Sequence, residues 1–367
     1  MAKIAVTGAN GFIGKNLTVR LNEAGHEIIQ IARDLEIDAL AGKLSGADFL
    51  VHLAGVNRPD DESEFETGNF GMTKRLVQAL QQLKKAVPIV FSSSIHAAQD
   101  NSYGRSKRAA EEVLAAYGEA SGAPVHVWRL PNVFGKWSRP NYNSVVATFC
   151  HNIAHGLPIT VNDPEARLRL IYVDDVVDSL LASIETGGQF SGDLGPIYET
   201  TIGELADLIR RYGDSRQSLV TGSVGTGLGR ALHSTYLSYF DPKDFCYPLV
   251  AHSDPRGTFA EMLRTPDAGQ FSFFTAHPGI TRGGHYHHSK TEKFLVVQGR
   301  ARFGFRHILT NETYVLETSA ESPQVVETIP GWSHDITNIG TETMVVMLWA
   351  NEVFDPNKPD TIAARVL

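Results

Sequence analysis

Four side chains in the last third of the 367-residue chain have the types and spacing of a metal centre. His285 and His287 stand two apart, so a β-strand projects both from one face. Glu292 follows within the pattern Gly279-x5-His285-x-His287-x4-Glu292-x6-Gly299, and the later segment Pro330–Asn338 supplies His334. Three imidazoles and a carboxylate suit Zn²⁺, Fe²⁺, Mn²⁺ or Ni²⁺, with Zn²⁺ the first choice. An open position on such an ion would admit water or a substrate oxygen. His288 is expected to point away from the face that carries His287, and His277 to be structural.

A second constellation lies earlier. Ser92-Ser93-Ser94 ends an apolar run, and Tyr103 and Lys107 follow, four apart, so a helix sets them on one face. A nearby ammonium is expected to lower the tyrosine pKa and make Tyr103 a proton donor and acceptor near neutral pH. A serine hydroxyl can hold a carbonyl oxygen. Further upstream, Thr7-Gly8-Ala9-Asn10-Gly11-Phe12-Ile13-Gly14 reads as a strand-to-helix turn. Its glycines let backbone approach a pyrophosphate, which the helix N-terminus then stabilises. At the end of the second strand, Arg33 can hold a 2′-phosphate bidentately, so NADPH is favoured over NADH. Asp34, one step on, is the alternative, serving an unphosphorylated ribose.

These residues need a scaffold, and the pattern around them describes one. Strands are expected at Lys3–Thr7, Glu27–Ala32, Asp48–Leu53, Pro88–Ser92 and Val125–Arg129, with helices at Gly11–Ala24 and Phe65–Leu83. Further helices are expected near Asp174 and Gly203. Such alternation implies right-handed βαβ units and a parallel sheet covered on both faces. Thr221–Gly229 (TGSVGTGLG) reads as a linker. After Tyr247 come short β-like runs, Glu292–Val297, Arg300–Phe305 and Met344–Trp349, separated by turn residues, which indicate an all-β barrel or sandwich. The boundary is placed at Asp241–Asp244, giving domains 1–243 and 244–367.

Composition supports a two-domain globular protein: 42% hydrophobic and 20% charged residues in a chain longer than one core usually supports. A net charge of −8 argues against a nucleic-acid partner while allowing a local anion site. Cys150 and Cys246 belong to no close-spaced motif and are expected to be reduced. The first residues read as strand and turn rather than a leader, and no segment approaches about 20 apolar residues. A cytoplasmic location and no membrane partner are expected.

The motifs also carry a resemblance. TGANGFIG, His52-Leu53-Ala54-Gly55, the serine run, YGRSK, Arg129–Gly135 (RLPNVFG) and Ile171–Val176 (IYVDDV) resemble, in that order, the extended short-chain dehydrogenase/reductases of nucleotide sugars, with a Rossmann-type sheet. The histidine motifs resemble those of cupins, except that Pro330 abuts Gly331 where one residue usually intervenes. With Asp254–Phe259, Pro140–Val145 and Asn351–Pro356, the whole length resembles the CapF-type family of capsular polysaccharide and O-antigen enzymes.

This resemblance implies Tyr103 as catalytic acid, Lys107 as its support and nicotinamide-ribose ligand, and Ser94, with Ser93 as alternative, at the carbonyl. Gly8, Asn10, Gly11, Phe12, Ile13, Gly14, Arg33, Leu53 and Ala54 would complete the cofactor site. Asn132, Asn141, Tyr142, Asn143, Arg167 and Arg169 are candidates for the substrate pocket. The implied substrate is a UDP-linked 2-acetamido-2,6-dideoxy-hexos-4-ulose, epimerised at C3 in the cupin and reduced at C4 with NADPH. The C3 base stays open among His287, Tyr286, Lys290 and Glu292, and a homodimer is implied by analogy. A cupin that only binds or dimerises, and a fused metal-dependent oxygenase, are the rival readings.

Overall fold

The computed structural model describes residues 1–189, 194–254, 257–260, 262, 263, 265, 269–352 and 355–366, with backbone alone for 251–254 and 257–260. The chain divides into two compact units, Met1–Ser144 with Leu168–Glu199, and Val145–Arg167 with Thr200–Leu367. These units cut the sequence at other points than the expected division at 243/244.

The first unit opens β1 (Lys3–Thr7), α1 (Phe12–Glu23), β2 (Glu27–Ile31), α2 (Ile37–Leu44) and β3 (Phe49–His52). It continues with α3 (Ser63–Phe65), a π turn (Glu66–Gly71), α4 (Met72–Leu83), β4 (Ile89–Ser94), α5 (Ser102–Ser121), β5 (Val125–Leu130) and β6 (Asn132–Phe134). After α6 (Val145–Ala154), which belongs to the second unit, come β7 (Arg167–Tyr172), α7 (Val173–Glu185) and β8 (Ile197–Thr201). The main sheet has the order β2-β1-β3-β4-β5 and is parallel throughout. Its central strands are apolar on both faces, with Ile4, Ala5, Leu50, Val51, Ile89 and Val90 fully buried, as a sheet between two helical layers requires. The helix expected at Phe65–Leu83 forms, but with the π turn inserted in its first half.

The second unit contains α6, α8 (Ile202–Ser218), α9 (Gly227–Leu237), β9 (Cys246–Pro248) and the hairpin β10 (Ala251–Asp254) with β11 (Gly257–Ala260). Then follow β12 (Gln270–Ala276), β13 (Thr281–Tyr286), β14 (Glu292–Gln298), β15 (Arg300–His307), β16 (Thr313–Ser319), β17 (Gln324–Glu327), β18 (Trp332–Asn338), β19 (Met344–Ala350) and β20 (Ile362–Ala363). Two antiparallel sheets, β12-β19-β14-β17-β9 and β16-β15-β18-β13-β20, make the cupin barrel. Phe294 and Phe303, one from each sheet, meet edge to face at 5.7 Å.

Helix α9 corrects the expected linker. It begins at Gly227, inside TGSVGTGLG, and only the residues before it remain loop. Two glycines there have different uses: Gly227 takes a left-handed φ of +58° at the helix start, whereas a Cβ on Gly229 would lie 2.4 Å from the Ser223 carbonyl oxygen. No described helix is long and apolar enough to cross a membrane.

Candidate functional site

The glycine turn is built for close approach. Gly8 has φ +68°, and a Cβ there would stand 2.9 Å from the Ala54 nitrogen. A Cβ on Gly14 would lie 2.1 Å from the Gly8 oxygen, so helix α1 can pack on the turn only without it. Gly11 caps α1 with no side chain, and no acidic residue occupies the first turn. The N–H groups from Phe12 to Gly14 therefore form an uncrowded anion seat, with Asn10 exposed beside it. Arg33 and Asp34 line a cavity of about 460 Å³ together with Val56, Gly68, Gly71 and Arg75. Arg75, which the sequence reading missed, donates to the Arg33 carbonyl at 2.7 Å. Its helical position gave no signal of that neighbour.

A buried relay fixes the segment carrying Leu53 and Ala54. Thr7 Oγ1 accepts from the Ala54 N–H (3.0 Å) and contacts His52 Nδ1 (2.7 Å), while His52 Nε2 contacts Thr73 Oγ1 (2.8 Å). Thr73 donates its own hydroxyl hydrogen to the Asn69 carbonyl, so it accepts from His52 Nε2–H. Nδ1 is then the bare nitrogen and accepts from Thr7. Burial, aided by the Lys107 charge, pushes the His52 pKa down to about 3, consistent with this neutral tautomer. Asn69, in the π turn, clamps Val56 through both its amide atoms and donates to Ser106 on α5. No spacing rule marks Asn69 in the sequence.

Tyr103 and Lys107 share a face of α5, as expected. The Tyr103 hydroxyl donates to Asn57 Oδ1 at 3.2 Å. Lys107 is 4% exposed, donates to the Ser92 carbonyl at 3.0 Å and lies over the Phe91 ring. One expectation is corrected here. Burial raises the Tyr103 pKa, and the group that opposes this is Ser94 through a hydrogen bond, not the lysine. The ammonium itself is destabilised by burial, its pKa drawn down to about 8 against the pull of Glu111. Strand alternation also separates the two serines. Ser93 donates to Glu111, which Arg129 grips at 2.6 Å. Ser94 is the serine that faces Tyr103, and its Oγ accepts from the His96 N–H.

The substrate-pocket candidates fall into separate groups. Asn132 donates to the Arg169 carbonyl across β6 and β7, and Arg169 pairs loosely with Glu199. The guanidinium groups of Arg139 (5.0 Å) and Arg58 (6.0 Å), both missed in the sequence, lie over the Tyr142 ring. Asn141 takes a left-handed φ of +53° beside it. Arg167 and Asn143 are exposed.

In the barrel, the four expected ligands come together: one donor atom from each of His285, His287, Glu292 and His334 lies within 4.8 Å of the others. A bulge on β13 makes this possible. The register shifts between Gly283 and His285, setting His285 opposite His334 on β18. Gly283 has φ +98°, and a Cβ there would sit 2.9 Å from the His334 carbonyl oxygen. Gly331 (φ +81°) donates to the His287 carbonyl, so the proline beside it does not displace His334.

The donor set fits a divalent cation. Both ring nitrogens of His334 are buried without a hydrogen-bond partner, and its Nε2 stands 3.5 Å from Glu292 Oε2 outside hydrogen-bond geometry. His287 Nδ1–H donates to the Asp360 carbonyl, which turns Nε2 toward the cluster, 3.2 Å from Glu292. Burial and its histidine neighbours hold the His285 pKa down to about 4. Burial alone would raise that of Glu292, yet His287 and His334 hold it well below the usual range. Burial likewise lowers the His334 pKa, and an unprotonated imidazole is the form that ligates a metal ion. Among the candidate bases, Tyr286 alternates to the other face of β13 and contacts His288, whereas Lys290 Nζ stands 3.5 Å from Glu292 Oε1.

Residues 4–193 match the NAD dependent epimerase/dehydratase family. The chain belongs to that family. Residues 252–362 match the polysaccharide biosynthesis C-terminal domain, so this family member carries a second matched module on the barrel. The chain is 54% identical over 367 residues, 99% of each sequence, to a UDP-2-acetamido-2,6-beta-L-arabino-hexul-4-ose reductase of Pseudomonas aeruginosa. The capsular polysaccharide assembling protein CapF of Staphylococcus aureus matches with a TM-score of 0.67 and 43% identity, over 99% of this chain and 100% of that one. The CapF-type architecture therefore holds over the full length. The UDP-N-acetylglucosamine 4-epimerase of Bacillus cereus shares the fold over 58% of this chain and 82% of its own, at 24% identity and a TM-score of 0.51. Membership supports a nicotinamide cofactor.

Proposed function

We propose that the chain is a bifunctional nucleotide-sugar enzyme that epimerises C3 of a UDP-2-acetamido-2,6-dideoxy-hexos-4-ulose and reduces C4 with NADPH. The product would be UDP-2-acetamido-2,6-dideoxy-L-talose, for capsule or O-antigen synthesis. Reduction is assigned to residues 1–243 and epimerisation to 244–367. The observation that carries this reading is the presence, in one chain, of the Ser94–Tyr103–Lys107 set and the His285–His287–Glu292–His334 cluster. Full-length similarity to a reductase of a UDP-linked hexul-4-ose supports the substrate class.

For reduction, a bound nicotinamide supplies the hydride. Ser94 holds the C4 carbonyl oxygen, and Tyr103 delivers a proton to that oxygen as charge develops on it. The phenol is protonated at neutral pH, as a donor must be, since burial holds its pKa up. Lys107 would bind the nicotinamide ribose and stabilise the phenolate left behind. Arg33 and Arg75 would face the adenosine 2′-phosphate in the cavity they share. For epimerisation, a bound divalent cation, Zn²⁺ in the first instance, supplies Lewis-acid stabilisation of charge on the C4 oxygen. The 4-keto group acidifies C3–H, whose proton must leave one face and return to the other; Lys290, with Nζ 3.5 Å from Glu292 Oε1, is the candidate base favoured in this proposal over Tyr286.

A homodimer is part of the proposal. Phe271 and Phe273 on β12 are exposed, and Met347, paired with Phe273 across β19, is exposed beside them, an apolar outer face suited to a second copy. A cytoplasmic location accords with two free cysteines. The reductase half is tested by kcat/KM with NADPH and NADH. The expected preference for NADPH should fall at least 10-fold, about 1.4 kcal/mol, on Arg33→Ala. Equal efficiencies in the wild-type chain would overturn the NADPH assignment.

A further inference from the structure

Near its C-terminal end the described chain returns to the barrel and lies directly against the ligand cluster. Asp360 is the centre of that contact. Its Oδ1 accepts from the His288 N–H at 2.8 Å. Its Oδ2 accepts from the N–H groups of Ser289 (2.7 Å) and Lys290 (2.8 Å) and from the Ser289 hydroxyl (3.2 Å). Its main-chain carbonyl takes the Nδ1–H of His287. One residue therefore caps the whole turn between two ligands, His287 and Glu292, and also sets the ring of the first.

The neighbouring residues extend the same contact. Thr361 accepts from Lys290 Nζ at 3.0 Å. Strand β20 pairs with β13, setting Ala363 opposite His285 and Ile362 opposite Tyr286, and the Ala364 N–H donates to the Gly284 carbonyl. The ligand strand is thus held on one edge by β18, which carries His334, and on the other by this segment. Strand β20 is two residues long, with Ile362 half-buried and Ala363 exposed, so it adds little to the core.

We infer that Asp360 is the positioning residue of the metal centre, holding the 288–290 turn and the His287 ring in the geometry that binds the ion. This rests on the metal-binding reading proposed above. Three converging N–H donors match a carboxylate, and an asparagine amide turned toward them would present its own N–H to one of them. Asp360→Asn should therefore disturb the turn at almost constant volume. Groups that orient a metal ligand from outside the coordination shell commonly account for about 10- to 100-fold in metal affinity; here the Asp360 carbonyl meets the His287 ring directly, and its carboxylate acts through the turn.

The test uses the full chain stripped of metal and titrated with Zn²⁺ against a chromogenic chelator, and with Co²⁺ for its visible absorption spectrum. Wild type should bind one ion per chain and give a Co²⁺ spectrum of low coordination number. Asp360→Asn should bind Zn²⁺ about 10- to 100-fold more weakly, with the Co²⁺ bands shifted. Thr201→Ala, which breaks the capping box of α8 with Glu204, is the control for general destabilisation. It should lower the melting temperature and leave affinity and spectrum unchanged. Asp360→Glu, which keeps the carboxylate, should recover part of the affinity. If Asp360→Asn matches wild type in both readouts, or if Thr201→Ala loses as much affinity, the inference fails. If wild type itself binds no metal, the metal-binding reading fails instead.

Discussion

At the scale of single residues, the side chains that act at a distance are those with a neutral or charged state forced on them by burial. His52 shows this most plainly. It touches neither cofactor nor substrate in the proposed mechanism, yet its two nitrogens tie Thr7 at the end of β1 to Thr73 on α4. Its pKa is about 6.5 when unfolded and about 3 when folded. The unfolded chain therefore takes up the proton first as pH falls. The stability it contributes is fully present above about pH 6.5 and is lost progressively toward pH 3. His233, also depressed to about 3, acts in the same direction. The melting temperature should thus drop between pH 7 and pH 4, and the drop should be shallower in His52→Gln. Parallel curves for the two proteins would contradict the relay.

The residues legible in the sequence were those whose chemistry depends on local spacing. Tyr103 and Lys107 needed only a helix, and His285 and His287 only a strand. The serine choice needed the structure, because alternation separates Ser93 from Ser94 but only Glu111, eighteen residues on, shows which one is committed elsewhere. Asn69, Arg75 and Asp360 had no local signature. Asp360 reaches residues some 70 positions away, and an aspartate in a polar segment looks the same whether it caps a turn or faces water. The expected Tyr103 shift went the other way because burial, invisible in a sequence, outweighs a lysine whose ammonium is turned to the Ser92 carbonyl.

Among the elements, period-2 and βαβ patterns gave the parallel sheet and the barrel, while the missed helix α9 shows the limit of composition. Four glycines in nine residues read as a flexible joint, although a helix starts at Gly227 with φ +58° and Gly229 packs closely against the Ser223 carbonyl. The helices also bear on the barrel through charge. Arg216 on α8 and Lys293 on β14 both pair with Glu327 on β17, and all three are buried or nearly so. Lys293 donates further to Tyr247. Burial opposes the Glu327 charge, but the two cations hold its pKa down to about 2. Glu327→Gln would leave two cations without their counter-charge, and should lower unfolding free energy by about 3–5 kcal/mol. Denaturant unfolding measures this; an unchanged midpoint would show that the cluster is dispensable.

For the molecule as a whole, the proposed function has two sites of different chemistry in one chain act on one substrate. A 4-keto sugar satisfies this, because the same carbonyl that acidifies C3–H is the one reduced at C4. The Tyr103→Phe chain separates the steps, since it lacks the proton donor of the second and keeps every residue of the first. Incubated in D₂O with a UDP-2-acetamido-2,6-dideoxy-hexos-4-ulose and no nicotinamide, it should place deuterium at C3, read by NMR or mass spectrometry, and with NADPH added it should form no C4 alcohol. Reduction by the wild-type chain with no deuterium at C3 in either protein would contradict the account, and leave the barrel a binding module beside a reductase.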